Sequence, residues 1–207
     1  MLAIIDYGVG NLFSLKSSLK FIGADAIVTA DPDIIKKADR LILPGVGAFE
    51  DAAKKLKNSG LDKIVIDEVN KGKPLLGICL GMQMLFEKSF EYGEHEGLGL
   101  IKGAIYPFNE KLDNSYKIPH IGWNALKLEQ NKSPLFKYIN NGDYVYFVHS
   151  YYAVVCDDTI ASANYGIDFT ASVQKGNIYG CQFHPEKSGE VGLNILRGFC
   201  EIGEKEC

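Results

Sequence analysis

One tryptophan, three methionines and five cysteines are all that a chain of 207 residues carries of these types, and no two cysteines have Cys-x-x-Cys spacing. An odd number of cysteines without paired spacing argues against a disulfide framework and against a structural zinc site, so a reducing, cytoplasmic setting is expected. Long apolar runs are missing too, against the roughly 20 residues that cross a bilayer. Leu2 to Ile5 is a short apolar strand ended by Asp6, with no basic region, which argues against a signal peptide and a membrane anchor. Basic charge is scarce. Lys and Arg number 22 against 26 Asp and Glu, a net charge of −4 that gives no general attraction to nucleic acid and favours a small-molecule or protein partner. No Walker-type glycine loop is present, and Gly8-Val9-Gly10 is too short for a dinucleotide fingerprint, so a tight turn is its expected use. Neither an internal repeat nor a low-complexity tract occurs. With 46% hydrophobic and 23% charged residues, the chain can bury a full core as one domain over residues 1–207.

What is present is an alternation of strand-like and helical runs. Leu2 to Asp6 precedes Leu12 to Phe21, Ala26 to Val28 precedes Ile34 to Lys37, and Arg40 to Leu43 precedes Phe49 to Lys57 and Leu61 to Asn70. Pro74 to Ile78, followed by a helical run at Met82 to Lys88, completes the series. Such alternation predicts βαβ units and a parallel sheet covered by helices. The acidic, glycine-containing stretch Glu87 to Gly97 reads as a solvated loop. From Gly99 to Gln182 short strands take over, among them Ala125 to Leu128, Asp143 to Tyr152, Thr170 to Val173 and Ile178 to Phe183, which predicts antiparallel additions to the sheet. Apolar spacing from Glu190 to Glu201 predicts a closing helix.

The residues Gly77-Ile78-Cys79-Leu80-Gly81-Met82-Gln83 follow the apolar run Pro74-Leu75-Leu76 and have the pattern of a nucleophile elbow with cysteine at its corner. A strand turning sharply into a helix leaves its corner residue strained and exposed, and small residues on either side let backbone pass close by. The helix N-terminus beyond it favours thiolate and offers the Leu80 N–H to an oxyanion. Of the four histidines, His95, His120, His149 and His184, only the last has an orienting partner in reach. His184 and Glu186 lie two residues apart in a stretch ended by Pro185, so both side chains can project to the same side. Cys79, His184 and Glu186 are therefore the candidate triad. Cys156, Cys181 and Cys200 read as small core residues, and His120 and His149 as buried, satisfied ones. The turn Pro44-Gly45-Val46-Gly47 follows the strand Arg40 to Leu43, belongs beside the elbow, and offers a second oxyanion donor from Val46. Glycine on both sides lets that peptide flip.

Gly77 to Gln83 together with His184-Pro185-Glu186 resemble the class I, or triad, glutamine amidotransferases. Asp6 to Asn11, Pro44 to Phe49, Pro119 to Asn124, Tyr146 to Tyr151 and Lys187-Ser188 narrow the likeness to the glutaminase subunits of imidazole glycerol phosphate synthases. The resemblance runs from Asp6 to the last helix.

That resemblance implies a flavodoxin-like, three-layer α/β fold with a mostly parallel central sheet. It implies hydrolysis of glutamine to glutamate and delivery of ammonia to a partner, with no metal and no organic cofactor. Gly45, Gly47, Gln83, Ser150 and Tyr151 are implied to hold glutamine, although Tyr151 in an aromatic-rich run also suits sheet core. Asn11, Trp123, Tyr146 and Lys187 match the docking surface, and Trp123 suits plain core equally well. The implied partner is a (β/α)8-barrel cyclase subunit, in a heterodimer, that turns a ribotide and ammonia into imidazole glycerol phosphate and AICAR in histidine biosynthesis. Three alternatives stay open: a related amidotransferase feeding a barrel that amidinates surface sugars, a stand-alone cysteine hydrolase, and a non-catalytic binding subunit.

Overall fold

The computed structural model describes residues 1–129 and 133–203. The first half alternates as expected: β1 (Leu2–Ile5), α1 (Leu12–Phe21), β2 (Ala26–Thr29), α2 (Pro32–Lys37), β3 (Arg40–Leu43), α3 (Phe49–Asn58), α4 (Leu61–Asn70) and β4 (Leu75–Ile78). α5 (Leu80–Gln83) is one turn, and β5 (Phe86–Ser89), β6 (His95–Glu96), β7 (Ile101–Pro107), β8 (His120–Ala125) and β9 (Lys127–Leu128) follow. The remainder is β10 (Tyr144–His149), β11 (Tyr151–Ala153), β12 (Thr159–Tyr165), β13 (Ile167–Lys175), β14 (Ile178–Cys181) and α6 (Gly189–Glu201).

Eight strands form the central sheet in the order β2-β1-β3-β4-β14-β13-β12-β9. The first five run parallel and the last three add antiparallel. Strand side chains alternate between faces, and here both faces are apolar. Leu2, Ile4, Ile42 and Leu76 pack with Leu15 and Leu19 of α1 and Ile195, Leu196 and Phe199 of α6. Ala3, Ile5, Leu41, Leu43 and Leu75 pack on the other face with Ile35 of α2, Phe49 and Leu56 of α3 and Val65 of α4. The result is three layers, in which each buried Leu or Ile contributes about 1.5–3 kcal/mol. Local signals set the helix starts: Asn11 accepts from Ser14 N–H at 3.4 Å, and Asp31 accepts from Asp33 N–H at 2.8 Å ahead of Pro32. β8 and β10 pair apart from the main sheet, as do β11, β7, β5 and β6.

Four expectations about elements fail. The run Ala125 to Leu128 breaks at Leu126 between β8 and β9, which belong to different sheets. The helix over Met82 to Lys88 is only the single turn α5, because Phe86 enters the core and pairs with Ile101 of β7. Glu87 to Gly97 is not a plain solvated loop. It carries most of β5 and all of β6, and Glu91 is buried, accepting from Phe49 N–H at 2.6 Å and so capping α3 from a distance. The run Asp143 to Tyr152 breaks at Ser150 into β10 and β11, which belong to different sheets. Among the described residues no helix is long and apolar enough to cross a membrane.

Candidate active site

β4 delivers Cys79 to the carboxyl end of the sheet, where the backbone turns at φ 53° and ψ −111°; the corner is strained as expected but not exposed, since Cys79 is buried among the residues that enforce the turn. Only Cys79 and Tyr92 among the described non-glycine residues have positive φ. A conformation of this kind costs on the order of 1–3 kcal/mol and persists only where neighbours enforce it. They do: Cys79 N–H donates to Cys181 C=O at 2.7 Å, and Cys79 C=O accepts from Gln83 N–H at 3.1 Å. The glycines around the corner are there for close approach. A Cβ on Gly77 would lie 2.7 Å from the Gly81 carbonyl oxygen, one on Gly81 would overlap the Leu43 carbonyl, and one on Gly45 would lie 2.6 Å from Gly81 N. The turn after β3 is thus pressed against the elbow, as expected, and the Tyr7 hydroxyl holds it by donating to Pro44 C=O at 2.6 Å.

His184 is buried and its Nδ1 lies 2.8 Å from Glu186 Oε1, both side chains being only 3% exposed. A carboxylate only accepts, so Nδ1 carries the proton and Nε2 is left to face Cys79. Burial alone would lower the imidazole pKa. Hydrogen bonds and charge from Cys79 and Glu186 outweigh it and raise His184 to about 9. At neutral pH the ring is therefore held as imidazolium beside the sulfur. Backbone anchors fix its place: His184 N–H donates to Tyr146 C=O at 3.0 Å, and Ser188 Oγ donates to His184 C=O at 2.7 Å.

A cavity of about 400 Å³ opens over the sulfur, lined by Val46, Gly47, Cys79, Leu80, Gln83, Glu91, Ser150, Tyr151, His184 and Lys187 among others. Gly45 does not line it and is buried behind the turn. Gln83 is buried, and its Nε2 donates to Tyr151 C=O at 3.2 Å and to Gln182 Oε1 at 2.9 Å. Glu91, which sequence reasoning missed, puts a carboxyl in the same cavity. Burial raises its pKa, against the opposing hydrogen bond from Phe49 N–H. Its acidic neighbourhood concealed it, and the flanking aromatics give no cue to burial, since Phe90 and Tyr92 are themselves exposed. Tyr7 and Gln182 were missed as well, since neither sits at a position a motif singles out.

The other expected residues fall into place by burial. His120 and His149 are buried, and desolvation lowers them to about 4 and about 3, so both stay neutral core rings at physiological pH. Cys181 is buried and pushed up to about 12 by burial, whereas Cys156 and Cys200 are only half-buried, so the core reading holds fully for Cys181 alone. Cys207 lies outside the described residues. Trp123 is 55% exposed and sits opposite Tyr146 across the β8–β10 pair, with ring centroids 6.1 Å apart. That exposure overturns the plain-core reading of Trp123. Lys187 is exposed at the cavity rim, one residue beyond Glu186, and Asn11 caps α1, which packs beside the 185–187 turn. Among the described residues no group of three or more His, Cys, Asp or Glu is placed to hold a metal ion.

Comparison with known proteins adds findings of three kinds. The family model for glutamine amidotransferase class-I matches residues 3–201. The chain is 48% identical over 206 residues to imidazole glycerol phosphate synthase subunit HisH of Wolinella succinogenes, covering 98% of this chain and 100% of that protein. It is 52% identical over 204 residues to the protein of the same name from Caldanaerobacter subterraneus subsp. tengcongensis, covering 98% of each. Among solved structures, a glutamine amidotransferase superposes with a TM-score of 0.74 at 19% identity over 96% of this chain and 97% of that one. PurLQS from Thermotoga maritima superposes with a TM-score of 0.70 at 21% identity over 97% of each chain.

Proposed function

The chain belongs to the class I glutamine amidotransferases, and from that premise we propose that Cys79, His184 and Glu186 are the triad with which it hydrolyses glutamine. It is the glutaminase subunit of imidazole glycerol phosphate synthase, and it supplies ammonia for histidine biosynthesis. The observation that carries the assignment of the triad is the alignment of a strained, elbow-borne sulfur with a buried imidazole raised to about 9 and oriented by a buried carboxylate.

The steps follow from where the protons sit. The Cys79 thiolate attacks the side-chain amide carbon of glutamine, and the carbonyl electron pair moves to oxygen. The N–H groups of Leu80 and Val46 receive that oxyanion, the latter once the turn presents it; one such donor is worth about 10²–10³ in rate. The His184 imidazolium gives its Nε2 proton to the leaving nitrogen, ammonia departs, and a γ-glutamyl thioester remains. Neutral His184 then takes a proton from water, hydroxide attacks the thioester, and glutamate leaves as the thiolate and imidazolium are restored. Glu186 holds the ring in its working tautomer throughout.

Recognition of the amino-acid end falls to the opposite wall. Both Gln83 amide protons are committed to Tyr151 and Gln182, which leaves its Oε1 as the group open to the α-ammonium. Glu91 adds the negative charge, and the backbone at Ser150 and Tyr151 serves the α-carboxylate, with Gly45 supporting the turn and Gly47 at the cavity edge. Free ammonia in solvent becomes ammonium, so the chain docks as a single domain on a (β/α)8-barrel cyclase subunit, in a heterodimer, through the face bearing Asn11, Trp123, Tyr146 and Lys187. The chain's own chemistry requires neither metal nor cofactor, and the setting is the cytoplasm.

The test separates ammonia release from ammonia use. Cys79→Ala abolishes glutamine-dependent synthesis of imidazole glycerol phosphate, while ammonium salt at high pH sustains synthesis by the complex. Loss of both activities in a folded, partner-bound variant refutes the division of labour.

A further inference from the structure

We propose that Gln182 is a second hydrogen-bond donor to the Cys79 sulfur, held in that orientation by the same side chain, Gln83, that borders the substrate cavity. Gln182 is fully buried, its Nε2 lies 3.8 Å from Cys79 Sγ, and its Oε1 accepts from Gln83 Nε2 at 2.9 Å. This role for Gln182 builds on the reading of Cys79 as nucleophile.

The orientation of both amides follows from one atom. Tyr151 C=O can only accept, and it receives Gln83 Nε2 at 3.2 Å as well as His149 Nδ1 at 2.8 Å. With its nitrogen so placed, the Gln83 amide turns the same nitrogen toward Gln182, which must answer with its carbonyl oxygen. The Gln182 amino group is then directed at the sulfur by elimination. A flipped Gln182 would set two NH₂ groups face to face and aim a carbonyl at a thiolate, and in a buried site each of those unmade bonds costs on the order of 1–3 kcal/mol. The chain of donors therefore runs from the sulfur through Gln182 and Gln83 to the backbone that lines the amino-acid end of the cavity.

The surrounding charged and titratable groups do not duplicate this donor. His184 supplies its own hydrogen bond to the sulfur, and Tyr7, which faces Cys79, commits its proton to Pro44 C=O. Glu186 and His149 lie behind the imidazole, Glu91 and Lys187 at the cavity wall, and Cys181 is a neutral thiol on the neighbouring strand. In the resting enzyme Gln182 stabilises the thiolate against the thiol. Once the thioester forms, the sulfur loses its charge and the bond weakens, and it is restored when glutamate leaves.

Alkylation by iodoacetamide, read by mass spectrometry on the peptide that carries Cys79, reports on the sulfur without glutamine or partner. At near-neutral pH, Gln182→Met alkylates about tenfold more slowly than wild type, as expected for the loss of one donor to a charged group. The gap closes at high pH, where the thiol ionises unaided. In the wild-type chain, which avoids any folding defect, the ¹H–¹⁵N signals of the Gln182 carboxamide shift over the pH range in which alkylation switches on, and they stay put in Cys79→Ala. Wild-type alkylation rates for Gln182→Met at every pH, or carboxamide signals that ignore the state of the sulfur, overturn the proposal. Slowed alkylation together with a wild-type chain that hydrolyses no glutamine beside its partner supports the Gln182 contact and refutes the glutaminase reading instead.

Discussion

Stripping His184 of both its counter-charges changes how the stability of the fold depends on pH. The ring moves from an ordinary value of 6.5 to about 9 on folding, burial opposing the shift and Cys79 and Glu186 driving it. A proton held more tightly in the folded state stabilises it fully below the unfolded value and ceases to do so as the pH climbs through the folded one. The window is therefore about pH 6.5 to about 9. The rise from 6.5 to about 9 corresponds to about 3 kcal/mol. For a chain of this size each kcal/mol moves the melting temperature by about 2–4 °C, so about 6–12 °C is at stake. In Cys79→Ala/Glu186→Gln the ring retains only its burial, which favours the neutral form, and this contribution vanishes. Thermal unfolding of both proteins, followed by circular dichroism from about pH 6 to about pH 9.5, is expected to show the wild-type advantage shrinking by about 3 kcal/mol. An advantage that stays constant across that range would refute the raised value of His184, because a ring already neutral there has no proton to lose.

Gly45→Ala places a methyl 2.6 Å from Gly81 N, against backbone rather than a yielding side chain. It should destabilise the chain by about 1–3 kcal/mol and cut glutamine hydrolysis by about a hundredfold, measured as glutamate released by the complex, since the turn and the elbow can no longer meet. Glu91→Gln keeps an acceptor for Phe49 N–H but removes the charge offered to the α-ammonium. The KM for glutamine should rise at least about tenfold, with iodoacetamide alkylation of Cys79 unchanged; an unaltered KM sinks that role. Lys187→Ala should weaken stimulation by the cyclase or let ammonia escape, so that glutamate exceeds imidazole glycerol phosphate. Wild-type stimulation with equal amounts of the two products makes Lys187 a bystander, in line with the small worth, about 0–1 kcal/mol, of exposed charges.

The elbow was legible because its demands are local. A strand that must turn into a helix with backbone packed on both sides requires small residues at Gly77 and Gly81, and these lie within seven positions of chain. The His184–Glu186 pair was legible for the same reason, two residues on one side of an extended stretch. Period-two and period-3.6 patterns likewise announced the parallel sheet and its covering helices. The helix expected over Met82 to Lys88 failed because its apolar residues suit either element, and the partner that made Phe86 a strand residue, Ile101, comes later in the chain.

What sequence by itself determined here is the set of chemical groups and the local geometry around the proposed nucleophile: Cys79 at a corner, a histidine and a carboxylate in tandem, a glycine-flanked turn after β3. Only the tertiary structure decided how those groups are charged and aimed. Glu91 is buried because Phe49, 42 residues away, donates to it, and Gln182 faces the sulfur because Gln83, 99 residues away, sets its amide. Burial and hydrogen-bond direction are properties of neighbours in space, and a carboxylate in an acidic tract looks the same along the chain whether water or protein surrounds it.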